Sequence, residues 1–179
     1  GVEQDYTGKA KEIALALAKA IGSTRRGAIE VTFDDETFMD LTAEQGVWPI
    51  IYNVFVEAFE LLRSKGHPEV AILTEMYLSH EPEFMMKKAA EMGMFKQLPL
   101  HSRTSQYGQL KGFEKFSASP VREFIASQYE YIASGDFNKD WQKELSEFEL
   151  KNFEGDREQA YRNSLSLAEV KARESLSGR

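Results

Sequence analysis

The pattern of apolar and polar residues is helical along nearly the whole chain. Apolar side chains recur every three or four positions in "TGKAKEIALALAKAIG", where Thr7 marks the predicted start of a helix and Gly22 its end. A longer helical pattern runs from about residue 37 to residue 65 and is closed by "KGHP". Pro49 lies inside this second pattern, so we expect a kink there, because proline cannot donate the helical hydrogen bond.

The rest of the chain is also predicted to be helical, apart from two short stretches. The predicted helices are "PEVAILTEMYLSHE", "PEFMMKKAAEMG", "SPVREFIASQYEYIASG", "DFNKDWQKELSEFELKNF" and "DREQAYRNSLSLAEVKARESL", the last of them polar and expected to fray. "QLPLHSRTSQYGQLKG" has no clear period and is predicted to be an ordered loop that contains at most one helical turn. "AIEVTF" is the only strand-like stretch and is too short to found a sheet. The predicted class is therefore all-α, with residues 1–179 forming one domain.

Composition narrows the possible functions. The 179 residues carry a net charge of -7 and include no cysteine. The negative charge argues against nucleic-acid binding, and the lack of cysteine excludes disulfides, thiolate zinc sites and cysteine nucleophiles. No apolar run reaches the roughly 18 residues that a membrane span needs. We therefore expect a cytoplasmic protein that binds neither nucleic acid nor membrane.

An acidic pair stands out in "FMDLTAEQG". Asp40 and Glu44 are four residues apart, so on a helix they share one face, and that face continues through the apolar Val47 and Trp48. Two carboxylates at this spacing repel each other, and burying them unpaired would cost several kcal/mol. Either the pair lies near a helix start where water reaches it, or a divalent cation offsets the repulsion. Ligands that are all oxygen suit Mg²⁺ or Mn²⁺.

Other familiar sites are missing from the sequence. There is no glycine-rich phosphate loop of the dinucleotide-binding or Walker type. The three histidines, His67, His80 and His101, are scattered, and no pair of them has the spacing of a zinc-binding helix. The acidic pair is thus the main candidate for chemistry.

Four ordered segments resemble the C-terminal domain of ketol-acid reductoisomerase (acetohydroxyacid isomeroreductase). The segment "GKAKEIALALAKAIGSTRRGAIEVTFDDETFMDLTAEQ" resembles the start of that domain, including its acidic D-L-x-x-E-Q motif. "FELLRSKGHPEVAILTE", "HSRTSQYGQL" and "YIASGDFNKDW" resemble later segments of the family in the same order. The resemblance implies an all-α fold like the C-terminal domain of 6-phosphogluconate dehydrogenase, with a knotted backbone.

The resemblance also implies a reaction and roles for single residues. Members of the family convert 2-acetolactate or 2-aceto-2-hydroxybutyrate into dihydroxy acids of branched-chain amino-acid biosynthesis, by a Mg²⁺-dependent alkyl migration followed by reduction with NADPH. By motif match, Asp40 would bridge two Mg²⁺ ions and Glu44 would bind one of them, which makes both residues catalytic. Ser102 matches the serine that hydrogen-bonds the substrate. A serine that only caps a turn is the alternative.

The second acidic pair of the family is altered in this chain. Counting forward from Gly66 places its first member at Glu75, and counting backward from Ser102 places its second member at Glu81. These two glutamates are six residues apart, about 240° around a regular helix, so both can reach one metal only if the helix breaks between them. In addition, Gln106 stands where the family has an acid. We keep Glu75 and Glu81 as alternative metal ligands.

The chain also begins almost where the family's N-terminal Rossmann domain, which binds NADPH, would end. We expect the chain alone to be inactive and the enzyme to work when joined to that domain. The alternative is a divergent, non-catalytic relative that serves as a dimerisation or small-acid-binding module. An unrelated helical interaction protein is a third hypothesis.

A homodimer is the last expectation. In the family's short form, the second glutamate pair and the substrate serine come from the neighbouring subunit. Here Trp48, Ile51, Tyr52, Phe55 and Phe59 widen the apolar face of the long helix, and Met85 and Met86 add adaptable contacts. A monomer whose core absorbs these side chains is the alternative.

Overall fold

The structure, a computed structural model, describes residues 1–25 and 27–177. Its α-helices are α1 (Ala10–Ala20), α2 (Phe33–Thr42), α3 (Trp48–Ser64), α4 (Glu69–Leu73), α5 (Glu81–Met92), α6 (Arg103–Lys115), α7 (Ser119–Ala133), α8 (Asp136–Ser146), α9 (Lys151–Ala160) and α10 (Ser164–Ser177). No β-strand forms within the described ranges, and none of their helices is long and apolar enough to cross a membrane. The prediction of an all-α fold is confirmed.

The chain divides into two compact units. Unit 1 comprises Gly1–Pro49 and Glu123–Lys139, and unit 2 comprises Ile50–Arg122 and Asp140–Arg179. The boundaries fall inside α3, α7 and α8, so these helices run through both units. The expectation that residues 1–179 form one domain stays a prediction, because compact units of this kind can belong to a single domain. The knotted backbone also stays a prediction.

Unit 2 has a core built by three helices. Phe59 of α3 and Leu73 of α4 are fully buried, and Ile72 lies beside them. Helix α10 completes this core with Leu165, Ala168 and Ala172, whose spacing places them on one face of the helix. The alanines are small enough to let α10 approach α4 closely. The expectation that the last helix frays is therefore wrong for residues 164–172.

Unit 1 is held together by contacts between α2, the turn after it and α7. Phe38 of α2 meets Tyr129 of α7 edge to face, with ring centroids 5.8 Å apart. Gly46 is buried against Ile125, and a Cβ at position 46 would lie 3.4 Å from the nearest methyl group of that side chain. Helix α2 begins with a reciprocal cap, in which the Thr32 hydroxyl accepts from the Asp35 N–H at 3.0 Å.

Two single π-helical turns interrupt the helices, at Ala43–Val47 and at Thr74–Leu78. We call them the first and second π turns. Pro49 explains the first, because a proline ring clashes with the carbonyl four residues before it, here that of Gln45, in a regular α-helix. The predicted interruption at Pro49 therefore takes the form of a π turn, which is a recognised cause of kinks. In the second, the Ser79 N–H donates to the Thr74 carbonyl at 3.1 Å.

Two parts of the sequence-based prediction are wrong in detail. The stretch around Ser102 is not a loop but a short 3₁₀ turn, Leu98–Leu100, followed by α6. Helix α6 tolerates two internal glycines, each of which costs about 1 kcal/mol relative to alanine. The two helices predicted between residues 136 and 176 are three, because the backbone turns left-handed at Glu149 and Leu150 and turns again before α10.

Candidate metal and substrate site

Asp40 and Glu44 lie together on one stretch of helix in unit 1. Asp40 belongs to the last turn of α2, and Glu44 belongs to the first π turn. Both side chains are exposed, and Val47 and Trp48, which follow them, are 41% and 49% exposed. The hydrophobic pattern predicts that this face turns toward a core, and that prediction is wrong at these positions, where all four side chains are exposed. Water reaches both carboxylates.

Glu75 and Glu81 lie in unit 2, on two separate helical segments. Glu75 belongs to the second π turn, and Glu81 is the first residue of α5. Between them His80 adopts a left-handed conformation with a φ of 63°, so the helix breaks there. The sequence spacing allows both glutamates to reach one metal only if the helix is interrupted between them, and the structure contains such an interruption. Both side chains are exposed.

Ser102 is the N-cap residue of α6. Its hydroxyl oxygen accepts a hydrogen bond from the Ser105 N–H at 3.2 Å, and its side chain is exposed. The capping role considered as the alternative is thus present in the structure. Capping uses the oxygen as an acceptor, so the hydroxyl hydrogen stays available to donate to another group. The substrate-binding role of Ser102 stays a prediction.

The residue that replaces the family's acid has a structural role next to Ser102. The Gln106 side-chain N–H donates to the carbonyl of His101 at 2.7 Å. This interaction needs a donor, which an amide supplies and an ionised carboxylate does not. Gln106 therefore holds the backbone immediately before Ser102 by a hydrogen bond that a glutamate could make only when protonated.

Counting backward from Ser102 places the first member of the family's second glutamate pair at Tyr77, and sequence reasoning gave this residue no role of its own; it lies in the second π turn between the two candidate glutamates. Its hydroxyl donates to the carboxylate of Glu169 on α10, and its ring meets Phe55 edge to face, with centroids 5.3 Å apart. Burial, with the hydrogen bond to Glu169, raises the pKa of the Tyr77 phenol well above its usual range, so the phenol keeps its proton. The importance of Tyr77 is visible only in the structure, because its partner Glu169 lies 92 residues farther along the chain.

The cavity nearest to the acidic pair lies on another face of α2. It has a volume of about 410 Å³ and is lined by Asp35, Phe38, Met39, Thr42, Ala43, Val47 and Tyr129. Residues 35, 38, 39 and 42 follow the spacing of one helical face, whereas Asp40 and Glu44 belong to a different face. The cavity is mainly apolar, and its one carboxylate, Asp35, is engaged in the cap of α2 with Thr32.

The donor set fits Mg²⁺ in its chemistry. The candidate ligands are carboxylates with exposed side chains, and hard oxygen donors in small number, supplemented by water or substrate, are what Mg²⁺ takes. Within the described part of one chain, no three His, Asp or Glu side chains come close enough to hold a metal ion together. Asp40 and Glu44 lie in unit 1, and Glu75, Glu81 and Ser102 lie in unit 2.

Comparison with known proteins identifies the family. Residues 33–177 match the family model of the ketol-acid reductoisomerase C-terminal domain. The chain is 40% identical over 141 residues to the ketol-acid reductoisomerase (NADP(+)) of Pyrococcus abyssi, and 38% identical over 144 residues to that of Methanopyrus kandleri. Each alignment covers 78% of this chain and 42% of the relative, so the chain spans about two fifths of the length of these proteins.

A solved structure agrees with the sequence matches. The structure of an NADH-preferring ketol-acid reductoisomerase from an uncultured archaeon superposes with a TM-score of 0.85 at 26% identity. The superposition covers 97% of this chain and 52% of that protein. Sequence, fold and the D-L-x-x-E-Q motif that holds Asp40 and Glu44 agree, and the chain belongs to the ketol-acid reductoisomerase family, whose C-terminal domain it contains.

Proposed function

We propose that this chain is the Mg²⁺- and substrate-binding half of a ketol-acid reductoisomerase of branched-chain amino-acid biosynthesis. The observation that carries the proposal is the family match over residues 33–177, which includes an exposed Asp40–Glu44 pair on one helical stretch. The enzyme is an oxidoreductase and isomerase that acts on 2-acetolactate or 2-aceto-2-hydroxybutyrate. NADPH binds to a Rossmann domain outside this chain, and the chain alone does not turn over substrate.

The roles of the residues follow from their chemistry. The Asp40 carboxylate would hold both Mg²⁺ ions of the site, and the Glu44 carboxylate would hold one of them. When bound, Mg²⁺ supplies Lewis acidity that polarises the carbonyl and hydroxyl oxygens of the substrate. Ser102 donates its hydroxyl hydrogen to the substrate while its oxygen keeps the cap of α6. Glu75 or Glu81 completes the metal site.

The accessible surface of the chain supports a homodimer. The chain exposes 14200 Å² at a mass of 20.4 kDa. A compact monomer of this mass exposes about 8,800 Å², and even two separate compact bodies of half the mass expose about 10,600 Å². The excess of roughly 3,600 Å² per chain is larger than the area that each partner buries in a standard interface, about 800 Å². A second copy of the chain, together with the proposed Rossmann domain, would cover this surface.

The exposed apolar side chains show which residues are available for such a partner. Tyr52 is 61% exposed and Met86 is 59% exposed, and Trp48 is also exposed. Phe59, by contrast, is fully buried in the chain's own core, and Phe55 packs against that core. Phe59 and Phe55 are therefore not available to the dimer face predicted from sequence, because the core of unit 2 buries the first and packs against the second. In the proposed dimer, Asp40 and Glu44 of one chain face Ser102 and Glu75 or Glu81 of the other.

Two departures from the family motif favour the alternative of a non-catalytic dimerisation or small-acid-binding module. The second acidic pair is not preserved at its usual spacing, and Gln106 replaces an acid that the family motif contains. A relative with only Asp40 and Glu44 intact would bind Mg²⁺ weakly and would not support the alkyl migration. The metal-binding experiment distinguishes the two functions.

Isothermal titration of Mg²⁺ into the purified chain tests the proposal. We expect saturable binding that Asp40→Asn abolishes, because an amide is a much weaker ligand for Mg²⁺ than a carboxylate. Asp34→Asn is the matched control, since it removes one exposed acid from the same helix about 240° around the axis from Asp40. Equal affinity in the wild type and Asp40→Asn would overturn the metal site. Weak binding that both variants reduce equally would show general charge attraction and would also overturn it.

A further inference from the structure

Helix α10 is attached to the segment that carries the second set of acidic residues. The Tyr77 hydroxyl in the second π turn donates to the Glu169 carboxylate in the middle of α10. One turn farther along α10, Arg173 lies 3.5 Å from the other oxygen of Glu169. The Glu169 carboxylate therefore has a partner on each of its oxygens.

The helical geometry links the orientation of Tyr77 to that of Glu75. Residues two positions apart lie on nearly opposite sides of a helical turn, so when one points inward the other points outward. Tyr77 is half-buried and faces Phe55 and Glu169, whereas Glu75 is exposed. Any contact that fixes the inward direction of Tyr77 also fixes the outward direction of Glu75.

The π turn needs such a contact. Single π turns are rare and occur mostly where function or packing maintains them. The Thr74 hydroxyl bonds only within its own helix, to the Val70 carbonyl at 2.7 Å, so it does not resist rotation of the turn as a whole. The bond between Tyr77 and Glu169 reaches a different helix, and α10 is itself held by buried Leu165, Ala168 and Ala172.

We propose that Glu169 is a positioning residue: by accepting the Tyr77 hydroxyl it fixes the rotation of the second π turn and directs the Glu75 carboxylate outward as a metal ligand. This inference rests on the proposed function, because it assigns the second half of the metal site to Glu75. It gives α10 a role in metal binding although α10 supplies no ligand.

The experiment compares variants of the chain in its assembled form by Mg²⁺ titration. Tyr77→Phe removes the hydroxyl and keeps the ring on Phe55, and Glu169→Ala removes the acceptor. We expect each to weaken Mg²⁺ affinity about tenfold, the usual loss when a residue that orients a ligand is removed. Glu169→Gln keeps an acceptor oxygen and should restore most of the affinity.

Ser164→Ala is the control for a merely structural effect. It removes a different side-chain bond of α10, which Ser164 makes to Glu60, away from the π turn. We expect a comparable loss of thermal stability without a change in Mg²⁺ affinity. Unchanged affinity in Tyr77→Phe, or an equal loss in Ser164→Ala, would overturn the positioning role.

Amide hydrogen exchange separates this inference from the proposed function. We expect faster exchange at Thr74–Leu78 in Tyr77→Phe than in Ser164→Ala, in the absence of metal. If the wild-type chain binds no Mg²⁺, the proposed function is wrong, and Glu75 then has no role as a metal ligand. Exchange that is equally fast in both variants would show that the bond does not hold the turn.

Discussion

Ser164, the first residue of α10, donates its hydroxyl to the carboxylate of Glu60 on α3, 104 residues earlier in the chain. Arg63 donates to the other oxygen of the same carboxylate at 2.6 Å. The hydrogen bond from Ser164, with that from Arg63, holds the pKa of Glu60 below its usual range. The last helix is thus joined to the core of unit 2 by an interaction that depends on an ionised acid.

This arrangement predicts a pH dependence of stability. A carboxyl whose folded-state pKa is lowered stabilises the fold above its unfolded pKa, here 4.5, and the contribution disappears as the pH falls through the folded-state pKa. Ser164→Ala should therefore lower the melting temperature at pH 7 and make a smaller difference at pH 3. Thermal denaturation followed by circular dichroism at the two pH values measures this. A difference that grows toward pH 3 would contradict the assignment.

Gly46 should tolerate only the smallest side chain. An alanine Cβ would lie 3.4 Å from the Ile125 side chain, which is ordinary van der Waals contact, and alanine favours helix over glycine by about 1 kcal/mol. Gly46→Ala should thus leave stability equal or slightly higher. Gly46→Val adds two methyl groups toward α7 and should cost about 1–3 kcal/mol through overpacking. Urea denaturation of the two variants compares them, and a stable Gly46→Val would show that this contact is loose.

Ser102 should show two separable effects. Ser102→Ala removes the cap of α6 and should destabilise the fold by about 1 kcal/mol, besides removing the proposed substrate contact. Ser102→Gly loses only a few tenths of a kcal/mol as a cap but also lacks the hydroxyl. In the full-length enzyme both variants should lose activity alike, while only Ser102→Ala loses stability. If the activities of the two variants instead fall in proportion to their losses of stability, Ser102 acts only as the cap of α6.

Restoring the family's acid at position 106 should destabilise this chain in a pH-dependent way. In Gln106→Glu, the ionised carboxylate would face the His101 carbonyl and leave both acceptors without a donor, at a cost of about 1–3 kcal/mol. The protonated acid can donate, so the folded-state pKa of the introduced carboxyl should be raised. The penalty is therefore small at pH 4 and grows as the pH rises to 7.

Gln109→Glu serves as the control for this prediction. Gln109 donates to the Ser105 hydroxyl, which can itself turn and donate to a carboxylate. The melting temperature of this control variant should change little between pH 4 and pH 7. An equal pH dependence in the two variants would indicate a general charge effect rather than the bond to the His101 carbonyl.

The helical class and the first acidic pair could be read from sequence because they depend on local patterns. Helix ends at Gly66 and Gly93 carry the left-handed glycines that such ends require. The π turns could not be predicted from the sequence, because one additional residue in a helical turn does not visibly change the hydrophobic period. The pattern also could not show that the face of Asp40 and Glu44 is exposed, because an apolar stripe indicates burial without saying which surface covers it.

Contacts between distant segments were also beyond sequence reasoning. Helix α10 looks polar, and its buried face consists of one leucine and two alanines, which give little hydrophobic signal. Tyr77 and Glu169 carry no motif that would pair them. The helix around Ser102 was missed because two glycines and no apolar period outweighed the signal of a capping serine.

The central claim is that a complete site forms only between two chains. In a full-length enzyme containing this chain, Asp40→Asn and Ser102→Ala should each be inactive as pure homodimers. Mixing the two variants under conditions that exchange subunits gives dimers in which one site carries both lesions and the other carries neither. We predict that the mixture regains up to about a quarter of the wild-type activity, since half of the dimers are mixed and half of their sites are intact. A mixture that exchanges subunits and stays inactive would contradict the account.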